Sequence, residues 1–132
     1  MISLHELQSG DTVITRYGDV EKKGKILQVD REDKKVLVLT DENEFWYDLD
    51  NLYPIYLTGD TLLQLQFHVD AAHSSNADKL YVRGPFSVRL YPEGHKPAIS
   101  LHYRDETRDL NTPITLNELQ NHYHAMTNFH LE

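Results

Sequence analysis

A chain of 132 residues with a formal charge of −8 and no cysteine excludes several classes of protein at once. Its length suits one domain or two small lobes, and a chain this long buries roughly two thirds of its unfolded surface, so no covalent staple is needed. Without cysteine there is no disulfide framework, thiolate zinc site or cysteine nucleophile, and acidity in both halves (7 basic and 12 acidic side chains in residues 1–58, 6 and 9 in residues 59–132) opposes attachment to nucleic acid, which needs a basic face.

The first residues, Met1-Ile2-Ser3-Leu4-His5-Glu6, lack a basic segment followed by an apolar stretch, so no signal peptide is expected. Apolar runs such as Val36-Leu37-Val38-Leu39 fall far short of the roughly 20 residues that cross a bilayer, and the expectation is a cytoplasmic protein with no membrane partner. Leu4–Leu7 predicts a helical turn before the turn signal Ser9-Gly10-Asp11. Four runs rich in β-branched and aromatic residues follow: 12–16, 24–30, 34–40 and 44–48. Asp30–Asp33 and Asp41–Asn43 between them have hairpin length. Short strands joined this tightly must close or cover their edges, so residues 1–57 are expected to form a small SH3-like β-barrel. Lys22, Lys23 and Lys25 read as a solvated loop rather than a basic patch.

Residues 50–57 read as an extended connector, because Pro54 biases Tyr53 away from the helical region. Thr58 stands at an N-cap position and predicts a short helix over 58–68; residues 71–78 read as a polar loop. Strands are expected at 79–83, 86–91 and 98–103, the first two joined by Gly84-Pro85. Thr115 and Glu118 form a capping box, and Leu116, Leu119, Tyr123, Met126 and His130 fall on one face of the helix it opens. The overall expectation is α+β: a barrel lobe over 1–57, then an α-β-β-α lobe over 58–132 whose last helix docks its apolar stripe on the strands before it.

Eight histidines invite a metal hypothesis. His122 and His124 stand roughly 200° apart around a helix and cannot share an ion unaided. Only Glu118 and His122, at i and i+4, could supply two ligands together. Asp41-Glu42-Asn43-Glu44 lacks the glycine and terminal glutamate of a calcium loop. No nucleophile elbow, dinucleotide fingerprint or P-loop is present, and six scattered glycines cannot line a phosphate cradle. No catalytic residue, metal or cofactor is therefore expected. The feature with functional colour is aromatic: Phe45, Trp46, Tyr47, Tyr53 and Tyr56 fall within twelve residues, with Trp46 on the opposite strand face from its neighbours. An exposed aromatic ledge holds a peptide, a base or a small ligand; the alternative use is to glue barrel to helix. His102 and Arg104, on one face of the strand at 98–103, are the other candidate binding residues.

Two segments resemble a family. Asp50-Asn51-Leu52-Tyr53-Pro54-Ile55-Tyr56-Leu57-Thr58 with the leucine-rich helix after it is similar to the L-x-P-I-x-L-T segment of small uncharacterised proteins of Bacteroidota genomes, their phages and mobile elements. Ile114–Thr127 is similar to that group's closing ELQN-x-Y helix, with Asn128 where glycine is usual, and Leu7-Gln8-Ser9-Gly10-Asp11 matches its opening. The resemblance implies a phage- or mobile-element accessory protein. With no catalytic constellation, the reading is a non-enzymatic protein-binding adaptor that modulates a host system. The alternatives are a small-molecule or nucleotide binder that uses the ledge with His102 and Arg104, and a nucleic-acid-binding barrel.

Overall fold

The computed structural model describes residues 2–132; Met1, first residue of the expected barrel lobe, lies outside the described residues. Two antiparallel sheets dominate, with one substantial helix at the C-terminal end. The chain divides into two units: Met1–Tyr56 with Thr115–Glu132, and Leu57–Ile114.

In the first unit a single 3-10 turn, Leu4–Glu6, occupies the expected helical turn. Five strands follow: β1 (Thr12–Tyr17), β2 (Val20–Asp30), β3 (Lys35–Thr40), β4 (Asn43–Asp48) and β5 (Leu52–Tyr53), in spatial order β4-β3-β2-β1-β5. β2 begins earlier than its composition predicts, because Gly18, at φ +60°, starts a two-residue turn that sets Tyr17 opposite Val20. The first half of β2 pairs with β1 and the second half with β3, the change of partner coming beside a register shift between Ile26 and Gln28. An irregularity of that kind bends a strand and lets a sheet curl. Gly24 fits the bend: a Cβ there would overlap Val38 Cγ1 and come within 2.9 Å of Thr40 Cγ2.

Pairing fixes which side chains share a face. Val13 lies opposite Gly24, Thr15 opposite Lys22, Val38 opposite both Ile26 and Phe45, and Val36 opposite both Val29 and Tyr47. That face carries the core of Val13, Ile26, Val36, Val38 and Leu52, joined by Ile2 and Leu7 and flanked by Leu4, Val29, Tyr47 and Leu49.

Helix α2 (Leu116–Thr127) completes this unit. Its capping box forms as expected, with Thr115 accepting from the Glu118 amide and Glu118 accepting from that of Thr115. Here the structure differs from the expected grouping of the helix with residues 58–114. The Gln120 carboxamide accepts from the Thr12 amide at 2.7 Å and donates to Thr12 Oγ1 and to the Leu131 carbonyl, both at 3.0 Å. Tyr56 pairs with Thr115 in a β-bridge, and the Leu116 amide donates to the Ile55 carbonyl at 2.7 Å. These bonds tie the helix to β1 and to the end of the first lobe. The stripe is also shorter than expected: Leu116 and Leu119 are buried, Tyr123 and Met126 half-buried, and His130 is exposed beyond the helix end. Asn128 stops the helix in the left-handed conformation (φ +64°), the role glycine fills in such caps.

The second unit opens with α1 (Gly59–Gln64), capped by Thr58 Oγ1, which accepts from the Thr61 amide. The helix ends before the expected residue 68, and Gln66 sits at φ +67°. A five-stranded meander follows, in spatial order β10-β9-β8-β7-β6: β6 (His68–Val69), β7 (Lys79–Arg83), β8 (Phe86–Leu90), β9 (Ile99–Tyr103) and β10 (Glu106–Leu110). The expected α-β-β-α composition thus gives way to a five-stranded sheet, in which β6 and β10 add to the three strands expected at 79–83, 86–91 and 98–103. β10 is invisible to hydrophobic patterning because all its side chains but Leu110 are polar, and it forms by pairing along the whole of β9.

Candidate functional site

The inner face of the first sheet is filled at one end and open at the other. From the packed core it runs out past Thr15, Lys22 and Thr40 to Tyr17, Val20 and Phe45, at 80%, 55% and 55% exposure. The result is a half-open cleft of about 570 Å³ whose lining includes Tyr17, Val20, Phe45, Trp46 and Tyr47, with polar groups from Thr15, Lys22, Thr40, Asn43, Asp48 and Asn51.

The polar lining is modest in charge. Lys22 pairs with Asp41 at 2.8 Å, and this bond raises the lysine pKa and keeps it cationic. Asp48 pairs with Lys35 at 2.9 Å across β3 and β4. Thr15 donates to the Lys22 carbonyl at 3.1 Å. The carboxamides of Asn43 and Asn51 each bring two donors and an acceptor. Such a lining can orient a ligand, but it contains no nucleophile with an adjacent base.

Of the candidate residues, Phe45, Trp46 and Tyr47 meet at this cleft. Phe45 and Trp46 stay about half exposed, whereas Tyr47 also packs against the core. Tyr53 stands opposite Ile14 on the other face of the sheet, with the Arg16 guanidinium 4.8 Å from its ring centre. Tyr56 is 74% exposed beside its bridge to Thr115. The five aromatics are therefore not one ledge. His102 and Arg104 belong to the second unit: His102 bonds Thr107 Oγ1 at 2.8 Å, and Arg104 occupies the turn between β9 and β10 with its guanidinium 5.2 Å from the Tyr103 ring centre.

Tyr17 and Val20 were not among the candidates. The alternation of Val13, Thr15 and Tyr17, continued across the Gly18-Asp19 turn, is the sequence signal that places them on the inner face. No family model, no curated protein and no solved structure matches the chain.

Among the described residues no three histidine, aspartate or glutamate side chains converge to hold a metal ion. Glu118, the suggested partner of His122, is engaged in the capping box. His124 and His130 stack on each other with ring centres 4.3 Å apart. No helix of the described residues is long and apolar enough to cross a membrane.

Asp11 departs strongly from the ordinary value of its carboxyl. Asp11 is 3% exposed where β1 begins, and burial pushes its carboxyl up to about 7. Hydrogen bonds from the Gln8 amide at 3.0 Å and from Asn121 favour the anion but do not offset that burial. It is not in the lining of the aromatic cleft, and it bears on stability.

Proposed function

We propose that the protein is a non-enzymatic binding module that holds a protein partner through the aromatic cleft of its first unit. The observation that carries the reading is the exposure of Tyr17, Val20, Phe45 and Trp46 together around an opening in an otherwise filled core. Large apolar side chains clustered at the surface of an acidic domain mark interaction sites, and aromatics dominate the energetics of such contacts. The strand order β4-β3-β2-β1-β5 with a bent β2 supports an SH3-like barrel for this unit. The similarity of the 50–58 and 114–127 segments to proteins of Bacteroidota, their phages and mobile elements supports a cytoplasmic accessory protein acting on a host system.

The test is affinity capture with three immobilised proteins: wild type, the double variant Phe45→Ser with Trp46→Ser, and Tyr56→Ser. A defined set of bacterial proteins is expected on the wild type and on Tyr56→Ser, and is lost on the double variant. Equal retention by all three, or none on any, sinks the reading.

A second reading rests on the volume of the cleft. About 570 Å³ lies within the roughly 300–1,000 Å³ typical of small-molecule sites. A nucleotide or signalling metabolite with a dissociation constant near 10 µM, supplied at about 1 mM, stabilises the fold by about 2.7 kcal/mol. A thermal-shift screen reads this directly, with fluorescence of Trp46, the only tryptophan, as local reporter. A nucleic-acid ligand is disfavoured by the charge of this unit, which carries 7 basic and 14 acidic side chains.

A further inference from the structure

We propose that the open edge of β4 takes an extended peptide of alternating basic and apolar residues as a sixth strand of the first sheet; the proposal rests on the protein-binding reading above and names the partner's chemistry.

β4 is the terminal strand of its sheet, paired with β3 on one side. Alternate residues of an edge strand turn their N–H and C=O groups outward, which makes the edge a template for another chain. Exposed edges are ordinarily blunted by lysine, proline or a covering loop. β4, Asn43-Glu44-Phe45-Trp46-Tyr47-Asp48, has neither lysine nor proline and is exposed everywhere but at the half-buried Tyr47. Its blunting charges are carboxylates alone, Glu44 and Asp48, which repel another acidic edge and admit a basic strand.

The side chains then choose the occupant. By strand alternation Asn43, Phe45 and Tyr47 point to the inner face of the sheet and Glu44, Trp46 and Asp48 to the outer one, with Trp46 and Asp48 also bordering the cleft at the strand edge. The decapeptide Asp41–Asp50 contains five carboxylates and no cation. Lys22 and Lys35 answer Asp41 and Asp48 from neighbouring strands, whereas Glu42, Glu44 and Asp50 make no ion pair among the described residues. A strand laid beside β4 sets one of its faces against Phe45 and Tyr47 and the other against Glu44, Trp46 and Asp48. The first favours apolar residues; the second favours lysine or arginine, which meets carboxylate and indole alike. A second copy of this chain is the poorer occupant, because two β4 edges would bring two sets of carboxylates together.

The test uses the full chain and four eight-residue peptides, read by Trp46 fluorescence and by amide hydrogen exchange. The peptides are alternating Lys-Val, alternating Glu-Val, a Lys₄Val₄ block of the same composition, and the Lys-Val peptide N-methylated at every second residue. The Lys-Val peptide is expected to bind, to protect alternate amides of β4, and to weaken as salt rises. N-methylation on the pairing edge should lower affinity at least tenfold. Glu42→Lys with Glu44→Lys should lower it at least threefold while leaving the far-UV spectrum unchanged. Equal binding of the block, acidic or N-methylated peptide overturns the proposal, as does protection on another strand. Concentration-dependent self-association that protects β4 without peptide overturns it in favour of a second copy. If the Lys-Val peptide fails while protein capture still depends on Phe45 and Trp46, strand addition falls and the cleft reading stands; loss of both removes both.

Discussion

The two units are built from the same number of antiparallel strands but spend their aromatic residues and charge in opposite ways. In the second unit Phe67 and Phe86 meet edge to face at 6.3 Å, Phe86 packs at the same distance from Tyr103, and Phe67, Tyr81 and Phe86 are buried. Its charge is nearly balanced, with 6 basic and 7 acidic side chains. In the first unit the buried core is aliphatic, Tyr17, Phe45 and Trp46 face water, and acidic side chains outnumber basic ones two to one. A unit that buries its rings is stabilised by them. One that exposes them forgoes about 25 cal/mol for each Å² left wet, and that sacrifice is the physical argument for placing function in the first unit.

The sharpest way to break the comparison is through pH, because Asp11 burdens only the first unit. A carboxyl with a folded pKa near 7 and an unfolded value near 4 leaves the native state binding more protons than the unfolded chain between those limits. Native stability is then undiminished below about pH 4, falls as pH rises toward 7, and stays reduced above it, by up to a few kcal/mol. Asp11→Asn keeps an acceptor for the Gln8 amide and removes the titration. Its melting temperature relative to wild type should be near zero at pH 4 and clearly positive at pH 8. A flat difference shows the carboxyl to be solvated, and with it the junction of β1 with its preceding turn to be looser than described.

Next in size are changes that overfill or unpair one unit at a time. Gly24→Ala drives a methyl into Val38 and Thr40 and should cost about 2–3 kcal/mol in chemical denaturation. Gly59→Ala meets the end of the Tyr81 side chain and should cost nearer 1 kcal/mol. Gln120→Ala strands the half-buried Thr12 amide and the buried Leu131 carbonyl and should cost about 2 kcal/mol. Hydrogen exchange then reports the partition. With two distinct cooperative units, Gly24→Ala and Gln120→Ala accelerate exchange in residues 2–56 and 115–132, and Gly59→Ala in residues 57–114. Uniform acceleration erases the distinction between them.

The contrast also explains what could be read in advance. Strands β1, β3 and β4 and the capping box of α2 are local signals, carried by β-branched and aromatic runs and by Thr115 with Glu118, and they appear where expected. β2 reaches back to Val20 through the loop expected at Lys22, Lys23 and Lys25, and β5 forms within the expected connector, both by pairing with β1. The destination of α2 was not legible, because Leu116 and Leu119 say that a face is buried and nothing of where; the deciding group is Gln120, a polar residue inside an apolar stripe. β10 escaped because Glu106-Thr107-Arg108-Asp109-Leu110 has no apolar alternation and exists by pairing with β9. Half of the cleft was visible in Phe45-Trp46-Tyr47. The other half, Tyr17 and Val20, arrives through the hairpin register of a different pair of strands.

The smallest effects lie in the turns, where the two units can be compared on equal geometry. Four two-residue hairpin turns begin on a residue with positive φ: Gly18 at 60° and Asp41 at 53° in the first unit, Gly84 at 58° and Arg104 at 56° in the second. A side chain other than glycine in this region costs roughly 1–2 kcal/mol. Gly18→Ala meets no atom within 4 Å, so it should lose about 1 kcal/mol from backbone strain alone. Arg104→Gly relieves the same strain, but gives up the stacking on Tyr103 and loosens the unfolded chain, each worth roughly 0.5–1 kcal/mol. The net change should stay within about 0.5 kcal/mol, with peptide binding at β4 unaltered. A loss of binding in Arg104→Gly would return His102 and Arg104 to the functional surface and end the assignment of function to the first unit alone.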